Sequence, residues 1–277
     1  MNLLVAKLNC DMNLFVSDVK KAIANIRDAL IDLNGVMVGI KGRDWVFAEN
    51  QLIISDVGVE VVVGRLGRRR RQSMVDLQGD KFVTEKASAW VYANYLLDLE
   101  TERMLIEERS GYISFRAFAR AWAEILMRNR PEVGHIYIGP IANLDNVWKQ
   151  IKALKKVTQA RFIVRPPNFN QEPEWMALAE EIKEINAKEG RHEYTNSEGL
   201  NVESSVFKRG IAIASASYGD FSITGSDAQG VKHKITSTSP ENIQRIALEN
   251  IGDDPAVFAA DFYKALRRMS YHEPGTR

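Results

Sequence analysis

Short apolar runs dominate the first 130 residues, and small turns separate them. Alternating apolar and polar positions over four to eight residues indicate half-buried strands, so this half predicts an antiparallel meander. A hairpin signal stands at Thr101-Glu102, between the runs YLLDLE and RMLIEE. Helical spacing predicts one helix after Ser17 that ends at Asn34-Gly35, and a second that begins at Ser114. The predicted strands are 3–9, 36–40, 45–48, 52–55, 57–66 and the segments within 81–109.

A different pattern follows residue 130. The pattern predicts a βαβ unit, whose strands would be parallel. It consists of an apolar run at 135–140, a helical stripe from Leu144 to Val157 and a second apolar run that stops at Pro166. Another helix is expected near Pro173, and a polar, turn-rich excursion at 189–201. The remaining predictions are strands at 209–217, 220–225 and 231–237, a helix from Ser239 and a last helix at 255–269.

These elements predict an α+β protein. Its N-terminal part would be an antiparallel sheet with helices, and its C-terminal part a mixed sheet that contains the βαβ unit. Helix 114–127 ends near Asn129-Arg130-Pro131, which is the best place for a boundary. We therefore expect an N-terminal α+β domain at 1–130 and a C-terminal mixed α/β domain at 131–277.

Composition narrows the class of protein. The 277 residues carry a net charge of only +1, so attraction to nucleic acid would have to come from a local patch. No apolar run approaches the roughly 20 residues of a membrane-spanning helix, and the first residues lack the layout of a secretory signal. Cys10 is the single cysteine, which excludes an internal disulfide. A cytoplasmic location without membrane contact is expected.

Catalytic signatures are missing from the chain. No P-loop and no GxSxG motif occurs, and the four histidines have no pair at metal-ligand spacing. The C-terminal serines are predicted to form one polar face of a sheet; they are Ser215, Ser217, Ser222 and Ser226. We therefore expect no catalytic residue, no metal site and no cofactor, and a protein that is not an enzyme.

Carboxylates on the predicted hairpin leave one enzymatic alternative open. Asp98, Glu100 and Glu107 could hold Mg²⁺ on a sheet, as acids of metal-dependent nucleases do. The simpler interpretation is that they are solvent-facing charges that alternate along a half-exposed hairpin.

Five arginines within seven residues form the sharpest charge feature of the sequence. Guanidinium groups pair bidentately with phosphate, and almost no acid lies in the run to neutralise it. We predict a loop that the flanking strands hold out toward a nucleic acid. Lys232 and Lys234, two apart on one predicted strand, share a face and would make a second patch. The candidate nucleic-acid-binding residues are Arg65, Arg68, Arg69, Arg70, Arg71, Lys232 and Lys234.

The C-terminal half also carries a family resemblance. Four features occur in order within about residues 134–240: a strand that ends in RPPN, a helix, the SEGL turn and YGDFSITGSDAQG. With them this part of the chain resembles RexA-like phage-exclusion proteins and related prokaryotic defence proteins. The closest match in pattern is the strand Gly219–Thr224. The resemblance implies a homodimeric, sequence-indifferent DNA-binding protein that acts in anti-phage defence.

The leading hypothesis is thus a non-enzymatic defence protein that forms a homo-oligomer, with DNA rather than RNA as the expected partner. A metal-dependent nuclease is one alternative. The other is a subunit of a larger defence complex, in which the arginines meet an acidic protein partner.

Overall fold

The computed structural model describes residues 2–11, 19–54, 58–78, 81–109, 111–165, 182, 184–185, 187, 189–248 and 255–268. Within them the α-helices are α1 (Val19–Asp32), α2 (Phe115–Asn129), α3 (Leu144–Ala153), α4 (Ser205–Ile213) and α5 (Pro255–Arg268). The strands are β1 (Asn2–Asp11), β2 (Met37–Ile40), β3 (Arg43–Ile54), β4 (Glu60–Gln78), β5 (Lys81–Asp98), β6 (Arg103–Glu107), β7 (His135–Pro140), β8 (Lys156–Val164), β9 (Gly190–Thr195), β10 (Gly219–Ser226), β11 (Lys232–Thr236) and β12 (Arg245–Ala247). The α+β class predicted from the sequence is confirmed.

The chain divides into two compact units. The first contains residues 1–3, 13–135 and 247–268, and the second contains 4–12, 136–246 and 269–277. The passage from one to the other at 135–136 lies near the predicted boundary after Arg130, but neither unit is one continuous stretch. The division into domains at 1–130 and 131–277 stays a prediction.

Antiparallel strands in the order β6-β5-β4-β3-β2 build the sheet of the first unit. The hairpin between β5 and β6 turns at Leu99–Glu102, as the sequence predicts. Ser114 also behaves as predicted, since its side chain accepts a hydrogen bond from the Ala117 N–H and caps α2. The predicted strands 45–48 and 52–55 are one strand, β3, whose register with β4 shifts between Ala48 and Gln51.

The predicted arginine loop is wrong, because residues 67–72 continue β4 without interruption. Adjacent residues of a strand point to opposite faces, so consecutive guanidinium groups separate from one another without leaving the sheet. β3 pairs with β4 as far as Arg68, whereas β5 accompanies β4 to Gln78. Beyond Arg68, no third strand pairs with β4 in the described part of the chain. Residues 69–78 and 81–90 therefore form a two-stranded extension, here called the ribbon.

A buried polar network holds β3, β4 and β5 together beneath the sheet. The Tyr95 hydroxyl donates to Asn50 Oδ1 at 2.7 Å, and Asn50 Nδ2 donates to the carbonyl of Leu30 on α1 at 2.7 Å. Gly64 lies against this amide, and a Cβ placed there would stand 1.9 Å from Asn50 Oδ1. Aromatic rings surround the network on α2 and the sheet: Phe47, Tyr95, Phe118 and Trp122.

The second unit contains a four-stranded sheet in the order β11-β10-β8-β9, antiparallel throughout. The strand–helix–strand succession at 135–164 is present, but the predicted βαβ unit is wrong in its pairing. β7 pairs with β1, while β8 pairs with β9 and β10. The N-terminal strand β1 lies beside β7, where the prediction placed β8. The four-stranded sheet that contains β8 is antiparallel and therefore not mixed.

Two further segments differ from the predictions. Residues 209–217, predicted as a strand, lie in α4 and in a π-helical turn at Ala214–Tyr218. Ser204 caps α4 by accepting from the Phe207 N–H, and the helical face with Phe207, Gly210 and Ile211 is buried. The predicted helix from Ser239 is instead a 3₁₀ turn at Pro240–Asn242 followed by β12, which pairs with β1. The strand assigned to β9 occupies part of the predicted polar excursion.

Some predictions fall outside the described residues. They are the Ser17 cap and the helix near Pro173. Among the described residues, no helix combines the length and the apolar character that crossing a membrane would require.

Replacing Gly64 with alanine tests the buried network. Because the added methyl group would stand 1.9 Å from Asn50 Oδ1, the amide must move and lose its bonds, which should cost about 2–3 kcal/mol. Urea unfolding measures this loss. Gly39→Ala in β2 is the control, since a Cβ there meets nothing within 4 Å. Equal stability of both variants would contradict this role of the network.

Candidate nucleic-acid interface

β4 distributes the predicted arginines over both faces of the sheet. Arg68 is directly opposite the buried Trp45 of β3, so Arg68 and Arg70 share the face that carries the aromatic core. Arg69 is opposite Trp90 of β5 and lies with Arg65 on the other face. The Arg71 side chain lies outside the described part of the chain.

Arg43, Arg68 and Arg70 form what we call the guanidinium cluster. The Arg68 guanidinium lies 5.7 Å from the Trp45 ring centroid, and that of Arg70 lies 5.3 Å from the Tyr112 ring. The pKa of Arg68 is lowered, first by burial and then by the positive charges of Arg43 and Arg70. No ion pair joins any of the three to a carboxylate of the described residues. This arrangement concentrates positive charge at the point where the ribbon leaves the sheet.

On the opposite face, Arg65 is bound into the sheet. Its guanidinium pairs with Glu49 at 2.6 Å and donates to Asn94 Oδ1 at 3.0 Å. It also stacks on the Tyr92 ring at 4.7 Å, and Arg109 covers the same ring at 4.2 Å. With its side chain only 13% exposed, Arg65 stabilises the sheet and would bind phosphate only by releasing Glu49.

Arg69 is more accessible than Arg65. Its guanidinium lies 3.7 Å from Asp44 and donates to Ser88 Oγ at 3.2 Å, while about half of the side chain is exposed. Exposed ion pairs of this kind contribute little stability, so an incoming phosphate can replace Asp44 at small cost. Trp90 stands beside it and is 46% exposed, a large aromatic surface next to a cation.

Lys232 and Lys234 lie in the second unit on β11, the outer strand of its sheet. Both are exposed and lie two residues apart, so they share a face as predicted. His233 points elsewhere, with its Nε2 atom 2.7 Å from Asp227 Oδ2. Lysines on an outer strand also discourage pairing with another sheet, which is their simplest structural role.

The carboxylates of the nuclease alternative make structural contacts. Asp98 Oδ1 accepts hydrogen bonds from the N–H groups of Glu100 and Thr101 and so shapes the hairpin turn. Buried Glu107 pairs with Arg109 at 2.7 Å and accepts from the Asn94 N–H at 3.0 Å. Across the described ranges, no three His, Cys, Asp or Glu side chains are grouped to hold a metal ion.

Reasoning from the sequence missed three residues of this interface. They are Arg43, Tyr112 and Trp90, and all three lie 18 or more positions from the arginine run in sequence. Strand pairing brings Arg43 and Trp90 to it, and a ring contact with Arg70 brings Tyr112. A usable signal was present for Trp90, because the alternation of Trp90 and Tyr92 along β5 leaves two aromatic rings on one face.

Glu107→Gln distinguishes a structural carboxylate from a metal ligand. Loss of the buried ion pair with Arg109 should destabilise the protein by about 1–3 kcal/mol in urea unfolding. Exposed Glu100→Gln should change stability by less than about 0.5 kcal/mol. A Glu107→Gln protein of unchanged stability that has lost Mg²⁺-dependent cleavage of DNA would instead favour the nuclease.

A family model described as a domain of unknown function, DUF4747, matches residues 71–258. The match begins within β4 and includes the outer part of the ribbon, β5 and the whole four-stranded sheet. No curated protein matches the chain. Since the match covers more than half of the 277 residues, the chain belongs to the DUF4747 family.

Proposed function

We propose that this protein is a non-enzymatic protein that binds DNA without regard to its sequence. The observation that carries the proposal is the guanidinium cluster at the base of the ribbon. Three arginines that make no described ion pair repel one another, and a polyanion would offset that repulsion while releasing its own counterions. Planar guanidinium groups suit phosphate oxygens because they can donate two parallel hydrogen bonds.

The ribbon favours duplex DNA as the polyanion. Its ten paired positions, from Arg69↔Trp90 to Gln78↔Lys81, would extend about 33 Å at roughly 3.3 Å per residue. The major groove, about 12 Å wide, admits a two-stranded β-ribbon. In this arrangement the ribbon would enter the groove while Arg43, Arg68 and Arg70 meet the phosphates at its edge. Two-stranded hairpins are marginally stable in water, which also favours a bound partner.

Indifference to sequence follows from the chemistry of the contacts. Phosphates are identical along the duplex, so arginines that bind them position the protein without reading bases. Arg69 would add a phosphate contact beside the exposed Trp90. Lys232 and Lys234 would add contacts from the second unit, on the exposed face of β11.

The biological setting belongs to the same proposal and rests on the resemblance of residues 134–240 to RexA-like phage-exclusion proteins. That resemblance supports a homodimer that acts in anti-phage defence, with the cytoplasm as its compartment. A larger defence complex remains the alternative, in which an acidic protein surface occupies the guanidinium cluster. Exposed Tyr112 and Trp90 would serve either partner, since aromatic rings contribute to both kinds of interface.

Removing the cluster tests the proposal directly. The triple variant Arg43→Gln, Arg68→Gln, Arg70→Gln should bind duplexes of unrelated sequence more weakly by a similar factor. The slope of log affinity against log salt should fall by about 0.9 for each lost phosphate contact. Fluorescence anisotropy across a salt series gives both quantities. The matching Arg→Lys variant should keep most of the affinity, because its charge is unchanged.

The control for this experiment removes the same charge elsewhere on the first unit. Lys21→Gln, Arg116→Gln and Arg120→Gln alter exposed positions on α1 and α2. If this control loses as much affinity as the cluster variant, the binding reflects overall charge and not a site. If neither wild type nor variant binds DNA at low salt, the acidic protein partner becomes the better candidate.

Excising the ribbon separates its contribution from that of the cluster. Residues 72–87 are replaced by Asn-Gly, which joins the paired positions Arg71 and Ser88 through a tight hairpin turn. The sheet that carries Arg43, Arg68 and Arg70 should keep its melting temperature, whereas duplex affinity should fall because groove contacts are lost. Unchanged affinity would show that the cluster binds DNA without insertion of the ribbon.

A further inference from the structure

The second unit contains a backbone irregularity at the start of β10. Within the π-helical turn Ala214–Tyr218, Ser217 has φ 70° and ψ 16°, in the left-handed region. That conformation costs a residue with a side chain about 1 kcal/mol or more, and π turns are frequent at functional sites. Glycine follows at 219, where a Cβ would meet the Ile163 carbonyl oxygen at 1.8 Å. The strained position 217 thus carries a serine, although a glycine there would adopt the same backbone conformation without strain.

Buried polar atoms without partners accumulate at the same place. Asn9 Oδ1, Ser215 Oγ and Ser217 Oγ have no hydrogen-bond partner among the described residues, and these residues are only 7%, 1% and 1% exposed. An unsatisfied buried polar group costs about 1–3 kcal/mol, so native proteins keep few of them. They account for three of the five such atoms found in the described part of the chain. Their accumulation makes this turn the place in the second unit where a ligand could satisfy several buried polar atoms at once.

Contacts bring Asn9, Ser217 and Tyr137 to one location. Asn9 Nδ2 donates to the Ser217 carbonyl at 3.0 Å, which joins β1 to the turn. A Cβ on Gly139 would stand 2.2 Å from Ser217 Oγ and 3.3 Å from the Tyr137 hydroxyl. Both hydroxyl groups therefore face the same point on β7, and only glycine at 139 admits them.

Two cationic side chains contact the tyrosines of this region, Lys7 at Tyr218 and Arg165 at Tyr137. Lys7, two residues before Asn9 on the same face of β1, donates from Nζ to the Tyr218 hydroxyl. The Arg165 guanidinium lies 4.3 Å from the Tyr137 ring centroid. Its charge is balanced by Asp220 at 3.3 Å and Glu189 at 3.4 Å. Lys7 and the phenols thus supply donors, while Asn9 Oδ1 supplies a buried acceptor.

We infer that Lys7, Asn9, Tyr137, Ser217 and Tyr218 form a binding site for a small phosphorylated molecule that also carries a hydroxyl group, such as a sugar phosphate. The ammonium and hydroxyl groups would donate to the phosphate oxygens. The hydroxyl group of the ligand would donate to Asn9 Oδ1, while its dianionic phosphate, which has no P–OH group, only accepts. Lys7, Tyr137 and Arg165 are half-buried and give access from the surface. This site is independent of the proposed DNA interface on the first unit.

Thermal unfolding and calorimetric titration of the full chain test this site with three probes: ribose 5-phosphate, inorganic phosphate and ribonate, the carboxylate counterpart. Ribose 5-phosphate should bind and raise the melting temperature most, inorganic phosphate less, and ribonate least. Lys7→Met should weaken binding of ribose 5-phosphate about tenfold or more, since a charge-assisted hydrogen bond is lost. If neither ribose 5-phosphate nor inorganic phosphate binds, or if ribonate binds more tightly than both, the inference is overturned.

Ser217→Gly separates a ligand-binding serine from a structural one. Glycine relieves the left-handed strain and removes an unsatisfied hydroxyl group, so the unliganded variant should melt a few degrees higher than wild type. The same variant should lose stabilisation by ribose 5-phosphate. Ser222→Ala on β10 is the control and should bind as wild type does. A Ser217→Gly protein that melts lower, or that still binds ribose 5-phosphate normally, would mean that Ser217 serves the fold alone.

Discussion

The long antiparallel pairing of β4 with β5 is the constraint on which the first unit depends. Its register runs without a shift from Val61↔Asp98 to Gln78↔Lys81. Because side chains alternate strictly along a strand, that single register decides which residues enter the core and which arginines lie on the same face of the sheet. A slip of one residue would carry Leu66 and Tyr95 out of the core and exchange the two arginine faces. The buried bonds from Asn50 to Tyr95 and Leu30 oppose such a slip.

The same alternation explains how the sheet tolerates its arginines. On one face Arg65 is neutralised by Glu49 and shares the Tyr92 ring with Arg109, which Glu107 neutralises in turn. On the other face Arg68 and Arg70 lie over Trp45 and Tyr112. Cation–π contacts of this kind hold the guanidinium groups in place without cancelling their charge. On the first face the charges of Arg65 and Arg109 are neutralised within the sheet, whereas on the second Arg68 and Arg70 make no ion pair with a described carboxylate.

In the second unit the irregular features are confined to one region. Its four-stranded sheet is regular, with inward and outward positions alternating along β10. The exceptions lie where the π-helical turn meets that strand. Ser217 is in the left-handed region, and Ser215, Ser217 and Asn9 carry buried polar atoms without a partner among the described residues. Elsewhere in the described part of this unit, no buried side-chain nitrogen or oxygen lacks a hydrogen-bond partner, and the core packs around Phe162, Phe207 and Phe221. Local strain and missing partners that persist inside an otherwise consistent structure are typical of sites that selection maintains for binding.

Local signals in the sequence were sufficient for the α+β class, the Ser114 cap, the β5–β6 hairpin and the strands β10 and β11. Each depends on residues that are close in sequence, such as a capping serine or a period of two. Local signals also existed for α4, where Ser204 precedes a helical stripe, but the alternation of Ile211 and Ile213 imitates a strand. The tertiary structure alone decided that β1 lies beside β7, that Arg43 and Tyr112 join Arg68 and Arg70, and that Asn9 meets Ser217 across 208 positions of the chain. Such pairings depend on which distant strands bury each other's surfaces. A hydrophobic pattern indicates that a face is buried but does not identify the element that covers it.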